Sequence, residues 1–214
     1  IEVMGPCSDD VGWLNAGAEI IVHGHAANGV GNAMAQGKIY VAGDIGARGM
    51  TMTKHNPRFS PPELWVLGSV GDFFAEFMAG GVAVICGYDT VRKDNVLGYR
   101  PCVGMVGGTI FFRGPHEGYS EEDVRLCELS NEDWQWLKQN LKSFLNAIGR
   151  SDIYGELTAS KKDWKLLIAR KPYEKGEKHL RTMERFRTEV WEQELGPGGL
   201  LGDIVTIPRG SIDI

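Results

Sequence analysis

What this chain lacks narrows its chemistry before anything in it is recognised. Its 214 residues hold four cysteines, Cys7, Cys86, Cys102 and Cys127, and no two stand in CxxC spacing. Close cysteine pairs are what structural zinc, cluster and redox sites use, so these thiols read as reduced and mostly buried in a cytoplasmic protein, with no Cys86–Cys102 disulfide expected. No Lys/Arg cluster interrupts a net charge of −5, which speaks against a nucleic-acid groove or an anionic membrane surface. No apolar run reaches spanning length and no signal-peptide pattern opens the chain, so no membrane partner is expected. The first residue is Ile1 rather than Met, and further residues upstream are expected, with room there for an earlier repeat.

Catalytic motifs are missing as well. A serine-hydrolase elbow needs glycine two residues either side of the serine, and Ser69 has Leu67 on one side. Gly29-Val30-Gly31-Asn32-Ala33-Met34 has methionine where a dinucleotide fingerprint needs its third glycine. No phosphate-binding GxxxxGK[ST] loop is present. His23 and His25 bracket a glycine without a third ligand nearby, and read as turn or surface histidines. Asp9, Asp10, Asp44, Asp72 and Glu76 sit beside turns, where a carboxylate usually bonds local backbone. No catalytic, cofactor-binding or metal residue is therefore assigned to this chain.

What is abundant is glycine: 29 residues, 21 of them at or before Gly118. They punctuate five alternating apolar strands that close on Gly24, Gly43, Gly68, Gly87 and Gly114. Gly24 to Gly43 and Gly68 to Gly87 are each 19 residues apart, and the longer steps contain inserted loops. Equal steps broken by insertions are the mark of stacked repeats. Alternate side chains of a strand share a face. Val22, Val41, Val66, Ile85 and Phe112, with Ile20, Ile39, Leu64, Ala83 and Ile110, therefore point into a shared interior. Met34, Met78 and Met105 recur at one position of the repeat and fill the same space. The expected fold is mainly β, a right-handed parallel β-helix or glycine-rich solenoid over residues 1–118, its closing glycines supplying turn conformations.

The opposite strand face carries Ile21, Tyr40, Trp65, Val84 and Phe111. This apolar stripe would run roughly 19 Å at about 4.8 Å per strand, and a soluble protein rarely leaves such a stripe wet. Two covers are open: the chain's own C-terminal helices, or a partner subunit docking on the stripe. Residues 119–214 are expected to form an α-helical extension and tail packing on the repeats. Ser120-x-x-Asp123, Ser130-x-x-Asp133 and Ser160-x-x-Asp163 look like helix caps. The second opens a helix with Trp134, Leu137, Leu141, Phe144, Leu145 and Ile148 on one face. Trp164–Ala169 reads as a short buried helix or strand, and Arg181–Glu194 as a charged helix ending at Gly196-Pro197-Gly198-Gly199, followed by a tail with Ile204, Val205 and Ile207.

One further segment stands out. Gly49–Glu63 is long for a connection, and it carries Lys54, His55 and Arg58 with enough proline to be stiff. It is either an excursion between repeats or a docking or ligand loop.

The strand-and-glycine pattern from Gly12 to Gly118 resembles the GXGXG domain at the C-terminal end of the glutamate synthase large subunit. The same domain type occurs in one of the subunits of formylmethanofuran dehydrogenase. Asn28–Gly43 and Gly68–Gly87 match the repeat, and Ala79-Gly80-Gly81 and Val106-Gly107-Gly108 carry its double glycine, of which Ala35-Gln36-Gly37 keeps one. Gly49–Lys54 and Pro61–Gly71, with the tail to Gly202-Asp203-Ile204, look like the stand-alone form, a separate subunit of glutamate-synthase-like enzymes. The resemblance implies a non-catalytic scaffold subunit of an amidotransferase-coupled oxidoreductase. Its partners would be glutaminase-like and flavin-dependent synthase-like chains, with flavin and an iron–sulfur cluster on those partners and none here. A homo-oligomer, a place in a formylmethanofuran dehydrogenase, and an independent β-helix hydrolase or transferase remain alternatives.

Overall fold

The computed structural model describes residues 1–171 and 174–175. The chain divides into two compact units, Ile1–Lys171 and Pro172–Ile214. The expected helix at Arg181–Glu194, its glycine-rich end and the tail through Ile207 lie outside the described residues.

The first unit is built on a single sheet. Its strands are β1 (Glu2–Val3), β2 (Ala16–Val22), β3 (Gln36–Val41), β4 (Glu63–Val66), β5 (Ala79–Ile85), β6 (Gly107–Arg113), β7 (Val124–Glu128) and β8 (Trp164–Ala169). They lie in the order β1-β2-β3-β4-β5-β6-β8-β7. The first six run parallel, and β8 then pairs antiparallel with both β6 and β7. Between β7 and β8 come helix α1 (Asn131–Ala147) and the short helix α2 (Tyr154–Leu157).

Two expectations need correction. The right-handed parallel β-helix is not what the strands form: the first unit makes one open eight-stranded sheet of mixed direction, an α/β arrangement with a helix on one face. Each repeat contributes one regular strand and spends its remainder in turns. Glycine spacing reports the length of a repeat but not whether its remainder forms further strands. The extension is likewise not wholly helical. Ser120 caps no helix; its hydroxyl donates to Asp123 Oδ2 at 2.7 Å, and the chain enters β7. Trp164–Ala169 takes the strand alternative as β8, which shields the edge that β6 would otherwise leave open.

Register along the parallel strands follows the repeat. Ile20, Ile39, Leu64, Ala83 and Ile110 are successive partners, as are Val22, Val41, Val66, Ile85 and Phe112. These two rows join Met34, Met78 and Met105 in one core between the sheet and the turn segments. The turns are hydrogen-bonded from one repeat to the next: Gly31 N–H donates to Val11 O, Met50 to Val30 O, Ala75 to Gly49 O and Cys102 to Phe74 O, all at 2.8 Å. The sheet is thus one wall of a stack whose other walls are laddered turns, with every level sealing the core of the level beside it.

On the other face lies α1. Ser130 Oγ accepts the Asp133 N–H at 3.0 Å, and the Asp133 carboxylate accepts the Ser130 N–H at 2.9 Å, a reciprocal cap that satisfies two otherwise orphaned donors. Leu137, Leu141, Phe144 and Leu145 are its buried face.

Val41 is fully buried between Val22 and Val66. Val41→Asp strands a carboxylate there without a partner and is expected to cost about 4 kcal/mol. Urea denaturation measures it; a loss below about 1 kcal/mol would contradict a sealed core at this position.

Candidate functional site

Side chains free to act on something outside the chain are distinct from those the fold consumes. The stripe comes first. Tyr40, Trp65, Val84 and Phe111 sit in register on adjacent strands, with Ile21 level beside Tyr40. All but Ile21 are buried, in one cluster with α1 and β8 residues. Trp136 of α1 stacks on Trp65 at 5.8 Å and on Phe111 at 5.2 Å, and Phe144 meets Tyr40 at 5.5 Å and Trp65 at 5.6 Å. Of the two covers left open by the sequence, the chain's own helix is the one present. Trp65 Nε1–H donates to the buried Glu63 carboxylate at 2.9 Å, and Lys38 lies 3.1 Å from its other oxygen. Burial, reinforced by the negative charges of Glu63 and Glu19, pushes the Tyr40 phenol up to about 12.

The closing glycines mark crossings rather than a pocket. Positive φ occurs at Gly87 and Gly114 but not at Gly24, Gly43 or Gly68. Close approach is what Gly24 and Gly43 provide. A Cβ on Gly24 would stand 2.7 Å from Pro6 N, and one on Gly43 2.7 Å from His25 Nδ1. Gly68 passes against Asp44 in the same way.

Asp44, which follows Gly43, organises the polar cluster of this corner. Its Oδ1 accepts the Ser69 N–H at 2.7 Å, the Ser69 hydroxyl at 2.9 Å and the Thr90 hydroxyl at 2.7 Å. Its Oδ2 lies 3.4 Å from the Val91 N–H. Burial alone would raise this carboxyl, but the donors from Ser69, Thr90 and Val91 outweigh it and hold the group below the usual carboxylate range. His25 Nδ1 accepts the Asp44 N–H at 2.9 Å, so a neutral His25 keeps its proton on Nε2, and the 3.7 Å approach to Oδ2 is no hydrogen bond. Asp, His and Ser meet here, yet Ser69 is fully buried and its proton is already committed. The cluster ties the 88–97 excursion to the stack.

Lys54, His55 and Arg58 share one exposed loop. Its base is pinned by the buried Thr53 hydroxyl, which donates to Gly80 O at 2.8 Å, and the His55 backbone crosses Gly80 so closely that a Cβ there would stand 2.7 Å from His55 N. At the tip, His55 Nε2 lies 3.0 Å from Phe59 O, and Asn56 Oδ1 accepts the Arg58 N–H at 3.0 Å.

A model of the GXGXG motif family matches residues 1–164, most of the chain and nearly all of its first compact unit. This chain belongs to the GXGXG family. It is also similar to an uncharacterized protein of Methanocaldococcus jannaschii, 28% identical over 202 residues that cover 82% of this chain and 76% of the relative.

Within this GXGXG unit an open cleft of about 490 Å³ lies beside the 88–97 excursion, lined by Asp72, Arg92, Lys93, Asp94, Tyr99 and Glu117 among others. Two of its polar groups build its walls: Asp72 Oδ1 accepts the Tyr99 N–H at 3.0 Å, and Asn95 donates to Gly98 O at 2.8 Å. Burial pushes the thiols of Cys86 and Cys102 upward, away from nucleophilic chemistry. His23 Nε2 lies 2.7 Å from Glu2 Oε1. Among the described residues no three His, Cys, Asp or Glu side chains are grouped to hold a metal, and no helix is long and apolar enough to cross a membrane.

Sequence reasoning missed β1, the Asp44 cluster and a row of non-glycine residues with left-handed backbone: Leu14, Ala33, Met52 and Phe77. The signal for that row was present, since Leu14, Ala33 and Met52 keep the 19-residue step.

Trp65→Ala opens a cavity between the sheet and α1 and is expected to destabilise the isolated chain by about 3–5 kcal/mol. A denaturation midpoint unchanged from wild type would deny α1 its role as cover. A carboxyl held low when folded adds stability that is fully present above its unfolded value, near 4, and is lost as pH falls through the lower folded value. Asp44→Asn should therefore lower stability at neutral pH and flatten its decline below about pH 4. Thermal melts across that range for both proteins test it; parallel curves would exclude Asp44 as a source of acid sensitivity.

Proposed function

We propose that this chain is a non-catalytic scaffold subunit of a glutamate-synthase-like oxidoreductase, in which a glutamine amidotransferase chain supplies ammonia to a flavin-dependent synthase chain. The observation that carries this reading is membership of the GXGXG family across residues 1–164. Two features of the geometry support it. The buried polar side chains that cluster, Asp44 with Ser69 and Glu63 with Trp65, are engaged inside the fold. The laddered turns make a stiff body, because each level is hydrogen-bonded to its neighbours at several points around the repeat.

The role that follows is positional. Such a body holds two catalytic chains at a fixed separation, so that ammonia released by one reaches the other without escaping to solvent. Flavin and an iron–sulfur cluster belong, on this reading, to the partner chains, and the assembly acts in nitrogen metabolism in the cytoplasm.

Affinity purification of the full chain from its native cells, followed by mass spectrometry, tests the reading. Glutaminase-like and flavin-dependent synthase-like chains should be recovered in amounts comparable to the bait, with flavin absorbance in the eluate. A partner carrying molybdenum or tungsten would move the chain to a formyl dehydrogenase, and a lone monomer with its own turnover would make it an enzyme.

A further inference from the structure

With the stripe covered by α1, exposed and partly exposed side chains form a second apolar surface where the turns lead into the strands. Two rows define it. One is Leu14, Ala33, Met52 and Phe77, ending at Gly104; the other is Ala16, Ala35, Lys54, Ala79 and Val106. Backbone ladders hold both level. Leu14 N–H donates to Asn32 O at 3.0 Å, Ala33 to Thr51 O at 2.8 Å, Met52 to Glu76 O at 3.0 Å and Phe77 to Val103 O at 2.9 Å. Ala35 donates to Asn15 O, Lys54 to Met34 O, Ala79 to Thr53 O and Val106 to Met78 O at 2.8–3.1 Å. The residues between the rows, Asn15, Met34, Thr53, Met78 and Met105, are buried. Leu14, Met52, Phe77 and Val106 are each more than half exposed, between 55% and 58%.

The backbone at these positions is one that glycine would serve with less strain. Leu14, Ala33, Met52 and Phe77 have φ of 55°, 54°, 56° and 54°, in the left-handed region that glycine occupies without strain. In a chain with 29 glycines, only the last position of this row, Gly104, is one. Bulky apolar groups here cost the isolated chain both backbone strain and exposed apolar surface, and a contiguous apolar surface of this kind marks a contact with another molecule.

Charge selects the occupant. None of the ten positions is acidic, and the one charged residue is Lys54, in the middle of its row. Beside it projects the loop with His55, Arg58 and the exposed Phe59. Among the described residues no carboxylate is in ion-pair contact with Lys54, His55 or Arg58. A second copy packed on this face about a two-fold axis would set Lys54 near Lys54 and one cationic loop near the other. An acidic-rimmed partner meets no such repulsion.

We propose that the double row is the docking face for a partner subunit whose contact surface is apolar at its centre and carries carboxylates opposite Lys54, His55 and Arg58. The proposal rests on the scaffold reading and names the surface through which that scaffold grips one of its chains.

The test uses the full chain in its native cells. A benzoylphenylalanine photocrosslinker replaces Met52 or Phe77, with Gln139 on α1 as the control position. Ala79→Glu and Lys54→Glu are purified alongside wild type, each first shown to melt like it; both sites are exposed, so either variant alone suffices. Crosslinks from positions 52 and 77, and not from 139, should land on the partner that co-purifies, and its recovery should fall at least tenfold in the glutamate variants. Undiminished recovery in both variants would overturn the docking face while leaving the scaffold reading intact. Crosslinks between two copies of this chain, or back to residues 176–214, would overturn it in favour of those occupants. Failure of wild type to retain any partner would remove the scaffold reading and this proposal together.

Discussion

A backbone that hydrogen-bonds to itself one repeat further on is the constraint from which the other properties of this protein follow. Because strands and turns alike are laddered, each side chain lies level with the residue in the same position of the next repeat. Residue choice then acts by row rather than by position. A row of valine and isoleucine closes a core, and a row containing one buried charge would open it at every neighbouring level. The same closeness sets where side chains are forbidden. Gly71 shows it plainly: a Cβ there would stand 2.6 Å from Ala47 N of the level beside it. Insertions, by contrast, are harmless when they leave between levels, as residues 55–60 and 88–95 do.

The sheet has two buried faces, and they are sealed by different means. One is closed by the turns of its own repeats, so its core is as continuous as the ladder. The other depends on a helix from outside the repeats, and its aromatic contacts make that cover specific: Trp136 reaches both Trp65 and Phe111, while Phe144 bridges Tyr40 and Trp65. Antiparallel β8 completes the same job at the edge, occupying the hydrogen-bonding groups that β6 would otherwise present to solvent, and β7 in turn pairs with the outer side of β8. The polar cluster at Asp44 belongs to this economy of closure as well. It fixes an excursion that carries Val96 and Leu97 into the core.

Much of this was legible from residue order, and what was not has a physical reason. The strand register could be read because alternation has a period of two and the closing glycines fixed its phase. Helix α1 could be read because Ser130 and Asp133 cap it and its apolar face repeats at helical spacing. The backbone of each repeat's remainder could not, since a recurring inward residue such as Met34, Met78 or Met105 looks the same in a strand and in a turn; an expected β-helix proved to be one mixed sheet with laddered turns. Ser120 and Asp123 misled for a related reason: the same pair of side chains that caps a helix also closes a turn before a strand. The exposed row at Leu14, Met52 and Phe77 was hidden because apolar residues at these spacings look like further core.

The amino-acid order by itself determined the repeat length, the two apolar rows of the main core and the presence of a covering helix, because each is encoded in spacing along the chain. Tertiary structure alone decided that this helix occupies the stripe on the sheet, that β8 turns back antiparallel, and that Leu14, Met52 and Phe77 face outward. Those outcomes depend on which surfaces meet after the levels have stacked, and an apolar residue carries the same character in the sequence whether a neighbour covers it or solvent does.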